Sequence, residues 1–328
     1  MAKTLSVFGA SGLVGSHIVK AALSKGYTVN GTMRDTNTAE KVKYLKRLEN
    51  SENLKLFSAD MQNSNDLDLP LLNADAAFIA CLIPTYFGKS GKAAKDMNFQ
   101  EGIREIIKPT VDGCLNILKA AERNGIKTVI VCSSTSSTNP VPPVPFKNEI
   151  EHWSDDLEQC RSKKFTSAAK TVMEKEAIKF ANENDIRLSI LLPTGLFGEG
   201  LLPTHMEHNP FKWLKSVIED GDPRHDVMPN DSSSMIHLED LANMFLAAYE
   251  NPAAAGRYFG VYNSLHWQDI YSECLKILPN MKMPKPMSGI PVPPTSFDFT
   301  RRDTLEVQIR DFPTLLLQTI EWIKSEPF

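Results

Sequence analysis

A turn with glycine at every third position, VFGASGLVG (residues 7–15), constrains this chain more than any other stretch. The apolar run TLSVF (4–8) leads into it, and LVGSHIVKAALSKG (13–26) leads out. The first has the length and composition of a buried strand, and the second reads as a helix closed by Gly26. A strand that turns directly into a helix needs a tight backbone at Gly9, Gly12 and Gly15. Such a turn also lets the backbone approach a pyrophosphate and the helix pack close to the sheet, with its N-terminus facing the negative charge. A glycine turn serving packing alone is the competing reading, and the flanking strand and helix weigh against it. Ser11, Leu13 and Val14 complete the set of turn residues expected at a dinucleotide.

Which dinucleotide depends on the end of the second strand, YTVNGTM (27–33). An acidic residue closing that strand would hold a ribose 2′-hydroxyl; here Arg34 closes it, and Lys41 follows at the start of a charged helix around 38–49. Guanidinium and ammonium groups suit a 2′-phosphate, so NADPH/NADP+ is the expected cofactor. Asp35 reads as a local cap. Asp60 and Met61, after the third strand LKLFSAD (54–60), are candidates to border the adenine, although Asp60 also fits a plain turn residue.

Strand-like and helix-like segments alternate through the first 190 residues: ADAAFIACL (74–82), a long helix over 98–124, KTVIVCSS (127–134), a helix over 162–184 and RLSILLP (187–193). Apolar strands separated by helices predict an α/β fold, a doubly wound parallel sheet covered on both faces. Residues 1–190 would form this core. Residues 191–328 would be mainly a smaller C-terminal substrate-binding lobe, with some elements returning to the core; its helices are expected near 209–219, 239–250, 267–278 and 313–325. The proline-rich stretches TNPVPPVPF (138–146) and MPKPMSGIPVPP (283–294) are loops, either plain surface connections or borders of a pocket. At 328 residues and 42% hydrophobic, the chain can bury a large core. A net charge of −4 gives no electrostatic reason for a nucleic acid partner. Five widely spaced cysteines without a CxxC pair fit reduced thiols better than disulfides or zinc. No apolar run approaches the roughly 18 residues of a membrane span, and the first residues run straight into a strand, leaving no room for a signal peptide. A cytoplasmic protein acting on a small molecule is expected, with no membrane or metal partner; the sequence leaves the oligomeric state open.

The succession FGASGLVGSHIVKAALSKGY, MRDTNTAEKVKYL, EIIKPTVDGCLNILKA, VCSST, HWSDDLEQC, KTVMEKEA, ILLPTGLFG and NPAAAGRY resembles the extended short-chain dehydrogenase/reductases, closest to the dihydroflavonol reductase and cinnamoyl-CoA reductase group. The resemblance covers nearly the whole chain. It implies a Rossmann core and a catalytic Ser, Tyr and Lys, the last two as Y-x-x-x-K. The serine matches Ser134 and the lysine matches Lys170, which would hold the nicotinamide ribose and lower the tyrosine's pKa. Pro193 and Thr194, in the ILLPTGLFG loop, would close over the nicotinamide.

The tyrosine is missing. Four positions before Lys170 stands Thr166, and no tyrosine lies between 87 and 248. A threonine hydroxyl is a very poor proton donor at neutral pH and is shorter than a phenol, and loss of a general acid typically costs about 10²–10⁴-fold. Ile79 and Leu82 stand where the group usually carries polar residues, which predicts a more apolar wall beside the nicotinamide, by drift or by reshaping for a different substrate. Tyr86, after the fourth strand, and His205, after the nicotinamide loop, are candidates to replace the donor. Either could equally be a packing residue. His237 reads as a core or capping histidine. Three functions stay open: an NADPH-dependent reductase of a fairly apolar carbonyl or α,β-unsaturated carbonyl compound with altered proton delivery, a non-redox NADP(H)-binding sensor or scaffold, and a redox-neutral isomerase or cyclase.

Overall fold

A computed structural model describes residues 3–81 and 86–328. Seven strands, β1 (Thr4–Phe8), β2 (Thr28–Met33), β3 (Leu54–Ser58), β4 (Ala76–Ile79), β5 (Thr128–Cys132), β6 (Arg187–Pro193) and β7 (Gly256–Gly260), form one sheet in the order 3-2-1-4-5-6-7. All its neighbours run parallel. Strands buried on both faces need no polar side, which is why TVIVC and RLSILLP read as almost continuous apolar runs. The side chains still alternate. Val7, Phe78, Ile130 and Leu191 pack with residues of α1 (Leu13–Ser24) on one face. Phe8, Ile79, Val131 and Ile190 pack on the other with a helix over Lys108–Arg123 and one over Phe165–Glu183.

With α2 (Ala39–Leu45) following α1, these two helices are α3 (Lys108–Arg123) and α4 (Phe165–Glu183). The long helix expected over 98–124 is present but passes through a π turn at Ile103–Ile107. Just before that turn a Cβ on Gly102 would lie 2.3 Å from the Phe165 ring, so glycine there lets the helix seat the start of α4. Helix α4 begins later than expected because Lys163 takes a left-handed backbone (φ 55°), which separates it from the short helix Asp156–Arg161.

The expected boundary at 190 runs through β6, which continues to Pro193. Residues 191–328, the span expected to form mainly the smaller lobe, supply α5 (Phe211–Asp220), a three-stranded sheet of Leu196–Phe197, Ser232–His237 and Asn263–His266, α7 (Trp267–Ile277) and α8 (Phe312–Lys324). Helix α6 (Leu238–Glu250), expected in that lobe, lies instead beside α1 on the main sheet. Strand β7 also returns to the core and extends the sheet next to β6; its arginine and flanking glycines hid it from a pattern reading. His237 caps α6, its Nδ1 accepting from Glu239 N at 3.2 Å. The two proline-rich loops meet: Ser296–Phe297 pairs with Phe146–Lys147, and Asn230 holds Ile290 and Val292. Among the described residues no helix is long and apolar enough to cross a membrane.

Candidate active site

Strand β1 is flanked by β2 on one side and β4 on the other, and the chain leaves in opposite directions to reach them. A crevice opens at such a switch point, beyond the carboxyl ends of the strands. Gly9 sits at its edge with φ +92°, and a Cβ there would come within 2.9 Å of the Cys81 backbone beyond β4. A Cβ on Gly15 would lie 2.1 Å from the Gly9 carbonyl oxygen, so the helix can approach the turn only without one. The turn is closed by Gly12 N donating to Gly9 O at 2.9 Å and by Gly9 N donating to Thr32 Oγ1 at 3.2 Å. Gly12 is the N-cap of α1 and has no side chain to satisfy the first helical N–H groups, the arrangement that receives an anion. The side chains of Leu13 and Val14 are buried in the core, so these residues offer the crevice only backbone.

A cavity of about 560 Å³ opens from this turn and brings Gly9, Ser11, Gly12, Arg34, Lys41, Asp60 and Met61 to one wall. Neither Arg34 nor Lys41 has a salt bridge among the described residues. The Asp35 carboxylate is engaged in its own turn, accepting from Asn37 N at 2.8 Å, and Asp60 does the same for Gln62 N at 2.9 Å. Met61 packs over Gly113 of α3. Two uncompensated cations beside a glycine cradle and an open helix N-terminus fit a dinucleotide bearing a 2′-phosphate. Sequence reasoning missed Thr32, Thr38, Thr204 and His208 on the same wall; the last two come from the smaller lobe, and no local motif announced them.

His205 lines this cavity too, and of the two readings open for it, candidate proton donor or packing residue, its hydrogen bonds favour the second. Its Nδ1 accepts from Leu201 N at 3.1 Å, which leaves the proton on Nε2 to be donated to the Ser11 carbonyl at 3.2 Å. Burial lowers its pKa to about 4, so at neutral pH the ring is an uncharged brace between the lobe and the glycine turn. Tyr86 fails differently. It is 67% exposed, and its hydroxyl has no hydrogen-bond partner among the described residues, so nothing orients it as an acid.

At the carboxyl edge of the same sheet, beyond the residues that line this cavity, Ser134 follows β5 and its Oγ accepts from Ser136 N at 3.2 Å. Thr166 and Lys170 lie one turn apart on α4, which places them on one helix face. Thr166 is half-buried, whereas Lys170 is 5% exposed. Burial pulls the Lys170 pKa down; the Cys132 thiol and the Glu174 carboxylate work against that. Pro193 ends β6, and Thr194 follows it at the same sheet edge as Ser134, where Ser133 N donates to Leu191 O at 2.8 Å. Ile79 does not form a pocket wall as expected: it is fully buried in the sheet core, and Ala80 and Cys81 face the cavity instead. Burial raises the Cys81 pKa to about 12, which makes its thiol an inert lining group. Leu82 lies outside the described residues.

The sequence matches the NAD dependent epimerase/dehydratase family over residues 5–263. A bifunctional dihydroflavonol 4-reductase/flavanone 4-reductase of Malus domestica is 29% identical over 296 residues, covering 88% of this chain and 80% of that protein. A cinnamoyl-CoA reductase of Medicago truncatula is 26% identical over 337 residues, covering 100% and 98%. Among solved structures, Gre2 of Candida albicans in complex with NADPH superposes with a TM-score of 0.77 at 21% identity, covering 99% of this chain and 100% of that one. The chain belongs to the NAD dependent epimerase/dehydratase family, as an oxidoreductase of its dihydroflavonol reductase-like branch.

Proposed function

We propose that this protein is an NADPH-dependent reductase of a small, fairly apolar carbonyl or α,β-unsaturated carbonyl compound, with proton delivery that does not use a tyrosine. The observation that carries this reading is the cavity at the glycine turn, lined by Arg34 and Lys41, with Ser134 following β5 at the carboxyl edge of the same sheet and Lys170 buried near the Cys132 thiol that ends that strand. Arg34 and Lys41 would hold the 2′-phosphate, and the start of α1 the pyrophosphate. Lys170 would hold the nicotinamide ribose and present positive charge near the reacting oxygen. When bound, NADPH supplies hydride.

The chain must then handle the negative charge that develops on the substrate. Ser134 Oγ already accepts a backbone N–H, so its own proton is available to donate to that oxygen. Thr166 can add a hydrogen bond but not a proton. With Tyr86 exposed and His205 neutral, no described side chain at this site acts as a strong acid. This favours reduction of an activated C=C bond. There the charge collects on an enolate oxygen, where Ser134 and Lys170 stabilise it, and solvent can protonate carbon. Direct carbonyl reduction needs a proton on the oxygen itself, which this site delivers poorly.

The test is consumption of NADPH by the wild-type protein with matched enones, aldehydes and ketones, products being identified by mass spectrometry. Saturated carbonyl products are expected to dominate. Alcohol products would place an acid at the site after all, and tight NADPH binding without turnover on any substrate would favour a non-redox binding protein. Thr166→Tyr supplies the second arm: it is expected to raise ketone reduction about a hundredfold, the lower end of the range for a restored general acid.

A further inference from the structure

The only salt bridge in the described residues with both side chains below 5% exposed joins α4, which carries Lys170, to β7. Glu174 is one helical turn beyond Lys170 on α4, and its Oε2 accepts from Arg257 Nε of β7 at 2.8 Å. Its Oε1 accepts from the hydroxyl of Ser133, the residue before Ser134. The rest of the guanidinium is fully committed. Nη1 donates to the carbonyls of Glu149 at 2.8 Å and His152 at 3.0 Å; Nη2 donates to the carbonyl of Ser137 at 3.2 Å and to its hydroxyl oxygen at 3.0 Å. The Ser137 hydroxyl in turn donates to the Ser134 carbonyl at 2.9 Å. The Trp153 ring covers the guanidinium face with its centroid 3.6 Å away.

Ser134 is thus bracketed. The residue before it is bound to Glu174, the residue three after it is bound to Arg257, and Glu174 shares a helix face with Lys170. Buried ion pairs lose so much hydration that apolar residues of equal volume often stabilise a fold as well or better. Apolar side chains, however, could not fix a serine loop by its hydroxyls and carbonyls. We infer that Glu174 and Arg257 are positioning residues, which set the Ser134 hydroxyl against the Lys170 ammonium without touching substrate. This rests on the proposed roles of Ser134 and Lys170.

The paired apolar variant Glu174→Leu/Arg257→Met is compared with wild type in NADPH affinity, in kcat and KM, and in amide exchange of peptides covering 133–138. Expected are an NADPH affinity within about twofold, because the glycine-turn cavity is untouched, a kcat at least about tenfold lower, and faster exchange confined to that loop. A folded variant that keeps wild-type kcat and wild-type exchange overturns the inference and leaves the pair as packing. Should this variant not fold, Ser133→Ala/Ser137→Ala removes the hydroxyl contacts of the bracket, leaving only the Arg257 bond to the Ser137 carbonyl, and keeps the ion pair, with outcomes of the same direction expected. Absence of turnover in wild type would sink the reductase reading alone. In that case unchanged loop exchange in the variant still counts against the bracket, and faster exchange supports it.

Discussion

At the glycine-turn end of the crevice, backbone sterics set position. Gly9 and Gly15 leave no room for a methyl group, and the groups that face the cavity include N–H donors and two cations, Arg34 exposed and Lys41 half-buried. Around Lys170, position is set by side chains that hold one another: Ser133 and Ser137 from one loop, Glu174 from α4 and Arg257 from β7, three separate parts of the chain. The contrast matters for what each end tolerates. A backbone cradle either fits or fails, so it binds much the same group wherever it is found. A side-chain network can keep its frame while one member changes, and a threonine can stand at position 166 with the frame around it intact.

The largest effect expected breaks the reactive end. Lys170→Ala should lower kcat by about 10²–10³-fold, the range for loss of a group that stabilises charge developing in the transition state. NADPH should also bind less tightly. Stopped-flow hydride transfer separates the two effects, and an unchanged rate would remove Lys170 from the site.

The next expected effect breaks the other end. Gly15→Ala places a methyl 2.1 Å from the Gly9 carbonyl oxygen, too close for relaxation of a side chain to relieve. Overpacking of this kind costs about 1–3 kcal/mol, and here it displaces the turn that holds the pyrophosphate. NADPH affinity by fluorescence titration should fall about tenfold or more, and the saturated kcat should change less than it does in Lys170→Ala. Equal losses in both quantities would mean that the two ends are not independent. Arg34→Ala sharpens the same point more gently. Loss of one charge-assisted hydrogen bond is worth about 1.5–3 kcal/mol, so NADPH should weaken about tenfold to a hundredfold while NADH hardly changes. Comparable losses for both would place the 2′-phosphate elsewhere.

The same contrast explains what could be read from the sequence. The glycine turn, Arg34 and Lys41 were legible because each answers a local demand, a tight turn or a strand end, that leaves a mark in adjacent residues. The parallel sheet was legible from its apolar strands. Strand β7 was not, because Arg257 interrupts GRYFG, and that arginine makes sense only when Glu174, Ser137 and Trp153 are brought to it. Ile79 misled for a related reason: alternation along a four-residue strand sends it into the core, and nothing local says which face meets the cavity. His205 was found as a residue near the cofactor, but its role depends on Ser11 and Leu201, the first of them far away in the chain.

That histidine gives the smallest expected effect, and it probes the seam between the lobe and the glycine turn. His205 has its folded pKa lowered to about 4, against 6.5 for an unperturbed histidine. Between those values the unfolded chain takes up a proton that the folded protein refuses, so stability is present above pH 6.5 and is lost as pH falls toward 4. The loss is capped at about 3 kcal/mol. His17, lowered to about 3, and His237, lowered to about 4, act with the same sign. The buried carboxyls of Glu149 and Glu174, raised by burial, oppose them, so the wild-type curve alone does not isolate one ring. The difference between wild type and His205→Gln does. Glutamine can still donate to Ser11 but does not titrate, so the gap in melting temperature between the two proteins should narrow as pH is taken from 7 to 5. A constant gap would mean that folding leaves the His205 pKa at its ordinary value, and would restore it as a candidate proton donor at the cofactor wall.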